Sequence, residues 1–224
     1  MLPTHQAPRL PATTLNETFH SIALQTGSKF KYANVSQAIH ANQYKLALEL
    51  LVQAGLSHKI THTSASGIPL GATTNPKKFK TILCDLGLQQ QLLGTDFSSC
   101  LSEPPTTFIH KGNLAEMFVG LELLAYSPAY QRTELYYWHR ESRSSNAEVD
   151  YIIQQNAKII PVEVKSGTSG QMQSLHLFLK EKNLPLGLRI SHENFGRTGS
   201  IQIVPIYAIE KIFKTNQGSL KRSS

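Results

Sequence analysis

Cysteine is nearly absent: the 224 residues hold only Cys84 and Cys100, and no C-x-x-C occurs. Two thiols build no disulfide framework, so free cysteines in a reducing cytoplasm are expected. No stretch approaches 18 consecutive apolar residues, which excludes a sequence-level transmembrane helix, and no membrane partner is expected. The N-terminus, "MLPTHQAPRLPATTLNETFHS", lacks a basic start followed by an apolar block, so it does not read as a secretory signal. A phosphate-cradling G-x-x-x-x-G-K-[S/T] loop is also missing. "TGSKF" (Thr26 to Phe30) echoes only its end, with Ile22 standing five positions before Gly27, and no ATP hydrolysis is expected.

Acidic residues are the scarcer charge: 15 Asp and Glu stand against 22 Lys and Arg, for a formal net charge of +7. A basic balance favours polyanionic partners, because Lys and Arg displace counterions from phosphates; the charge is compatible with DNA without specifying it. The length and the 40% hydrophobic content suit a globular chain with a real core.

Residues 1–13 carry three prolines and no periodicity, and read as a flexible lead-in. Leu15, Phe19, Ile22 and Ala23 fall at helical spacing between Thr14 and Thr26. Ser36 is a candidate cap for a second helix whose core side is Ile39, Ala47, Leu48, Leu50, Leu51 and Val52, with Gly55 as its stop. "LSHKITHTSASGIPLGA" then alternates, turns at "SASG" and alternates again. Helices followed by a hairpin give the outline of a winged helix over residues 14–75. Residues 76–107 read as a strand (Phe79 to Cys84), a short helix ending at Gly94 and a polar, proline-bearing linker.

From residue 108 the order is an amphipathic helix ("KGNLAEMFVGLELLAYS"), three strands, a helix ("TSGQMQSLHLFLKEKN") and two strands, to about residue 212. That is a mixed α/β layer domain. Met172, Leu175, His176 and Leu179 are expected on or near one helix face. Residues 213–224 read as a flexible basic tail.

"EVDYIIQQNAKIIPVEVKSG" (Glu148 to Gly167) places charges in an apolar hairpin. Alternation puts Glu163 and Lys165 on one face with Ile159 and Pro161, and Ile160, Val162 and Val164 on the other. A strand apolar on both faces at its start reads as central in the sheet. If Asn156-Ala157 is the turn, Asp150 stands opposite Glu163 and Glu148 opposite Lys165. If Gln155-Asn156 is the turn, Glu148 faces Glu163. Asn tolerates φ > 0 better than Gln, which favours the first register, although Ala suits the next position poorly. Opposed carboxylates destabilise a sheet unless a cation lies between them. Two carboxylates and a lysine suit a hard divalent ion, which acidifies a bound water and polarises a phosphoryl oxygen. Glu116, on the helix side of Val119 and Leu123, is a candidate third acid, with Glu122 competing. The alternative is a structural ion-pair network without turnover.

An acid in a first helix, Asp150 on one strand and "EVK" (Glu163 to Lys165) on the next resemble the PD-(D/E)XK nuclease superfamily. "NPKKFKTILCDLGLQQQLLG", "KGNLAEMFVGLELL", "ELYYWHRE", "AEVDYII" and "IIPVEVKSG", in that order, look like the domain of unknown function found C-terminal to AAA-type ATPase cores in prokaryotes. "SKFKYANVS" and the helix and hairpin after it look like the winged-helix segment that precedes it. The resemblance spans about residues 28 to 209. It implies a restriction-endonuclease-like mixed sheet with flanking helices over 108–212, behind the winged-helix-like segment. It also implies Glu116, Asp150 and Glu163 as ligands of Mg²⁺ or Mn²⁺, Lys165 as catalytic lysine, and Gln173 as a fifth, positioning candidate. DNA, a separate ATPase and a second copy of the chain are the implied partners. The ATPase core usual in that family has no counterpart here, so the chain is expected to be a truncated or free-standing C-terminal part. The alternative functions are a non-catalytic DNA-binding or regulatory module and an interaction domain with a buried ion pair.

Three further features carry weaker expectations. His58 and His62 share a strand face without further ligands nearby and read as solvated. Lys77, Lys78 and Lys80 form a basic cluster, either a solvated edge or a DNA contact. Tyr136, Tyr137 and Trp138 could stack bases, but such a strand is more often core.

Overall fold

A computed structural model describes residues 10–36, 41–94, 111–128, 133–140, 146–167 and 171–214. The lead-in up to residue 9, Cys100, the linker expected over 95–107 and the tail beyond 214 lie outside the described residues.

The first helix, α1 (Ala12–Gln25), starts two residues inside the expected lead-in and buries a partly polar face. Part of that face is satisfied locally: Thr18 Oγ1 donates to the Thr14 carbonyl at 2.7 Å, and Gln25 Nε2 to Ser21 Oγ at 2.8 Å. In α2 (Ala41–Gln53), Tyr44, Ala47, Leu48 and Leu51 repeat at helical spacing and are buried. The chain leaves this helix through Gly55 at φ +73, a left-handed turn that costs a residue without Cβ little.

Strands β1 (Ser57–Thr63) and β2 (Thr74–Leu83) pair antiparallel. The second arm of this hairpin is therefore β2, not residues 68–72 as the alternation suggested. Those residues lead through Pro69, which has no N–H to give a ladder, into a 3₁₀ turn (Leu70–Thr73) whose Leu70 N–H donates to the Gln154 side chain at 3.1 Å. The short helix α3 (Leu86–Leu92) is capped by Asp85, whose side chain accepts from the Leu88 N–H.

The remaining elements are α4 (Lys111–Ala125), β3 (Leu135–His139), β4 (Glu148–Gln155), β5 (Lys158–Val164), α5 (Gln173–Glu181), β6 (Gly187–Ser191), β7 (Gly196–Thr198), β8 (Ile201–Pro205) and α6 (Glu210–Lys214). The order expected from residue 108 onward is present, with the short edge strand β7 and the C-terminal helix α6, which reaches into the expected tail, in addition. One eight-stranded sheet, ordered β2-β1-β3-β4-β5-β6-β8-β7, holds every strand of the described residues. β1 pairs with β3 in parallel, so the first hairpin and the later strands share this sheet. β5 is central, between antiparallel β4 and parallel β6. The result is a mixed α/β fold with flanking helices, compatible with a restriction-endonuclease-like arrangement.

Helices cover both faces. Neighbours on β3 divide between two cores: Tyr137 packs with residues of α1, α2 and α4, and Trp138 with Leu175, Phe178 and Leu179 of α5. β5 divides as expected, Ile159 on the α5 side and Ile160, Val162 and Val164 on the other. In α5, Leu175 and Leu179 are buried, whereas His176 is exposed.

The β4–β5 register runs from Gln155↔Lys158 to Tyr151↔Val162, so Asn156 and Ala157 form the turn. Both have positive φ, 47° and 59°, the geometry of a type I′ turn whose twist matches the strands. Ala157 adopts this conformation at a steric cost that glycine avoids. Ala157→Gly is expected to stabilise the fold by about 1 kcal/mol, read as a higher urea midpoint at unchanged m-value.

Candidate functional site

Four carboxylates and two lysines gather where α4, β2, β4 and β5 approach one another. A β-bulge shapes the place: Trp138 pairs with Val149 and Tyr136 with Ile152, so Asp150 and Tyr151 together stand opposite Tyr137. Bulges re-aim side chains and end regular pairing. Beyond the bulge, Asp150 Oδ2 accepts the Val164 N–H at 2.8 Å, so a side chain closes this end of the β4–β5 ladder. Asp150 thereby lies beside β5 at the level of Glu163, as the first register requires.

Glu163 is buried. Its Oε1 accepts from Lys165 Nζ at 2.7 Å, whereas its Oε2, also buried, has no hydrogen-bond partner among the described residues. Lys165 is part-exposed, with 28% of its side chain accessible. Glu116 projects from α4, buried with Val119 and Leu123 as its helical position implies. It meets Lys80 of β2: Lys80 Nζ lies 2.7 Å from Glu116 Oε1 and 2.6 Å from Glu148 Oε1. The Lys80 ammonium also lies 5.3 Å from the centre of the Tyr137 ring. Below the site, the Tyr151 hydroxyl donates to the Glu116 carbonyl at 2.8 Å.

The electrostatics follow from this crowding. Enough protein surrounds the Asp150 carboxyl that desolvation, then the Glu116 and Glu163 charges, push it well above the usual carboxylate range; Lys80 and the Val164 N–H pull the other way without prevailing. Burial also raises Glu163, against the hydrogen bond and charge of Lys165. Lys80 is held above the ordinary lysine range: burial works against its charge, but Glu116, Asp150 and Glu148 together outweigh it. Burial, followed by Glu116 and Asp150, drives the Tyr151 hydroxyl well up.

The Asp150 shift has a consequence for stability in metal-free buffer. An unfolded Asp titrates near about 3.9, so above that pH the folded chain binds more protons than the unfolded chain. Stability therefore falls as pH rises from about 4 toward the raised folded value. Asp150→Asn removes this penalty and keeps an oxygen for the Val164 N–H. It should be more stable than the parent by about 1–2 kcal/mol at pH 7, with the gap closing toward pH 4. Urea unfolding at pH 7, 5.5 and 4 in EDTA measures this, and a variant weaker than the parent at pH 7 would refute it.

The structure brings Glu116, Asp150, Glu163 and Lys165 into one cluster. Glu116, not Glu122, is the helix acid that meets Lys80. Gln173 is exposed at the start of α5. Two members escaped the sequence reading. Glu148 was considered only as a register alternative, although it lies two residues from Asp150 on the same strand. Lys80, expected with Lys77 and Lys78 at a solvated edge or DNA contact, is instead buried and ion-paired. Its signal was the run "FKTIL", apolar on either side of the lysine, which marks a strand covered on both faces. His62 is likewise corrected: it is buried, its ring centre 4.6 Å from that of His139. Tyr137 and Trp138 are core residues.

Two family models match. Residues 111–209 match a domain of unknown function, DUF4143. This domain is found in AAA-ATPase-associated proteins. Residues 4–99 match a second domain of unknown function, DUF8612. The cluster is therefore composite, with Lys80 inside the DUF8612 match and Glu116, Glu148, Asp150, Glu163 and Lys165 inside the DUF4143 match. No curated protein and no solved structure matches the chain. Among the described residues, no three His, Cys, Asp or Glu side chains form a ready metal cage, and no helix is long and apolar enough to cross a membrane.

Proposed function

We propose that the DUF4143 segment is a PD-(D/E)XK-type phosphodiesterase domain acting on DNA, with Asp150 and Glu163 as the pair that holds Mg²⁺ or Mn²⁺. The observation that carries this reading is Glu163 Oε2: a buried carboxylate oxygen without a hydrogen bond among the described residues, at the strand level of a second carboxylate. A buried, unpaired acceptor is costly unless something occupies it. Two hard oxygen donors suffice for Mg²⁺, which keeps several waters and needs no complete protein cage. When bound, such an ion supplies an acidified water and polarises a phosphoryl oxygen.

The chain's own groups have separate tasks. The Glu163 carboxylate orients the Lys165 ammonium, which reaches solvent and can meet the negative charge growing on a phosphate oxygen. The Val164 N–H fixes Asp150 in place. Glu116, engaged by Lys80, tunes the site through its charge. The net charge of +7 favours a polyanionic substrate, and the occurrence of the domain beside AAA-type ATPases supports a separate ATPase as partner.

A second reading, a DNA-binding or regulatory module without turnover, is favoured by one observation: Lys80 already neutralises part of the acidic cluster. Incubation with supercoiled, linear and branched DNA, with Mg²⁺, Mn²⁺ or EDTA, separates the two. The first reading expects metal-dependent cleavage that falls about 100-fold in Glu163→Gln and in Lys165→Ala. Binding without cutting under every condition would overturn it in favour of the second.

A further inference from the structure

Lys80 is the one member of the cluster supplied by the first matched segment, and it is placed as a bound cation would be. Its side chain is 1% exposed and its ammonium touches Glu116 and Glu148. Asp150 and Glu163 also feel its charge. The backbone of Lys80 is held as well: β2 pairs with β1 on one side, and on the other Lys80 bridges to Lys29. A simple buried ion pair matches one ammonium to one carboxylate. Here a single ammonium is set against two carboxylates, Glu116 and Glu148, so negative charge on this side exceeds what one lysine neutralises. That excess suits a cation of higher charge, and the buried, unpartnered Glu163 Oε2 lies on the same cluster.

We infer that the Lys80 ammonium is an intramolecular counter-cation that competes with a divalent metal ion for this cluster, so that the first segment limits metal uptake by the site in the second. The inference rests on the divalent-cation reading of the cluster. It makes the strand β2 a built-in restraint. Metal enters readily only when Lys80 withdraws from Glu116 and Glu148, and any partner that shifts β2 would control the site.

The test is calorimetric titration of the full chain with Mn²⁺, beside thermal melting in EDTA and in Mn²⁺, for the parent, Lys80→Met, Lys80→Arg and Glu163→Gln. Lys80→Met is expected to bind Mn²⁺ about tenfold or more tighter than the parent, because a competing positive charge is gone. Lys80→Arg keeps the charge and should bind like the parent. Mn²⁺ should raise the melting temperature of Lys80→Met more than that of the parent. Binding by the parent that vanishes in Glu163→Gln, with no gain in Lys80→Met, would overturn the inference and leave the metal reading standing. Absence of binding in both the parent and Lys80→Met would overturn both. A gain of equal size in Lys80→Arg would overturn the role of charge. Should Lys80→Met be unfolded in EDTA, refolding by Mn²⁺ supports the inference, and failure of Mn²⁺ to refold it overturns it.

Discussion

Lys80→Met is expected to cost about 3–5 kcal/mol of folding stability in metal-free buffer, because it strands a buried acid. Methionine keeps the length and the apolar stem of lysine, so little volume is lost. What disappears is the only cation among the described residues in ion-pair contact with the Glu116 carboxylate, whose side chain is 11% exposed. Glu148, with 30% of its side chain accessible, can turn to solvent; Glu116 cannot. The loss should therefore fall mainly on Glu116, and Lys80→Met combined with Glu116→Gln should recover much of it. Urea unfolding of the parent, both single variants and the double variant gives the coupling energy directly. A cost below about 1 kcal/mol for Lys80→Met would mean that this ion pair does not hold β2 to α4.

Gly120→Ala should destabilise by about 2–3 kcal/mol, although alanine in a helix interior is normally favoured over glycine by about 1 kcal/mol. A Cβ at position 120 would clash with the Tyr151 hydroxyl oxygen and lie 3.0 Å from both Tyr151 Cζ and Ile82 Cδ1. Tyr151 is wholly buried and rigidly placed, since its hydroxyl donates to the Glu116 carbonyl one turn before Gly120. The added methyl must push α4 off β4 or break that hydrogen bond. Either response also moves Glu116 relative to Asp150. Adding Tyr151→Phe removes the closest atom, so Gly120→Ala/Tyr151→Phe should be more stable than Gly120→Ala alone. Thermal melts of the three variants check this, and a Gly120→Ala variant as stable as the parent would show that α4 is not seated this tightly.

Much of the site was legible before any fold was known. Strand periodicity placed Glu163 and Lys165 at the end of a central strand, and the tolerance of Asn for positive φ selected the turn that brings Asp150 to the level of Glu163. Helical spacing turned Glu116 toward the core with Val119 and Leu123. These are local properties, set by backbone geometry and the alternation of side chains. The hairpin at 57–83 was less legible, because its connecting loop resembles a strand in composition and its second arm contains Pro76 and two exposed or half-exposed lysines.

The sequence by itself indicated most of the element types, favoured the β4–β5 register that forms and placed two acids and a lysine at one strand end, since each depends on residues close together along the chain. Only the tertiary structure decided what surrounds them. Pairing of β1 with β3 brought the first hairpin into the same sheet as Glu148, Asp150 and Glu163. The bulge opposite Tyr137 set Asp150 and Tyr151 against one residue of β3. The packing of α4 over that sheet closed Lys80 in with Glu116 and Glu148. Whether a lysine is solvated or buried depends on which distant surfaces close over it. Lys80 and Glu116 are 36 positions apart, a separation that no local periodicity spans.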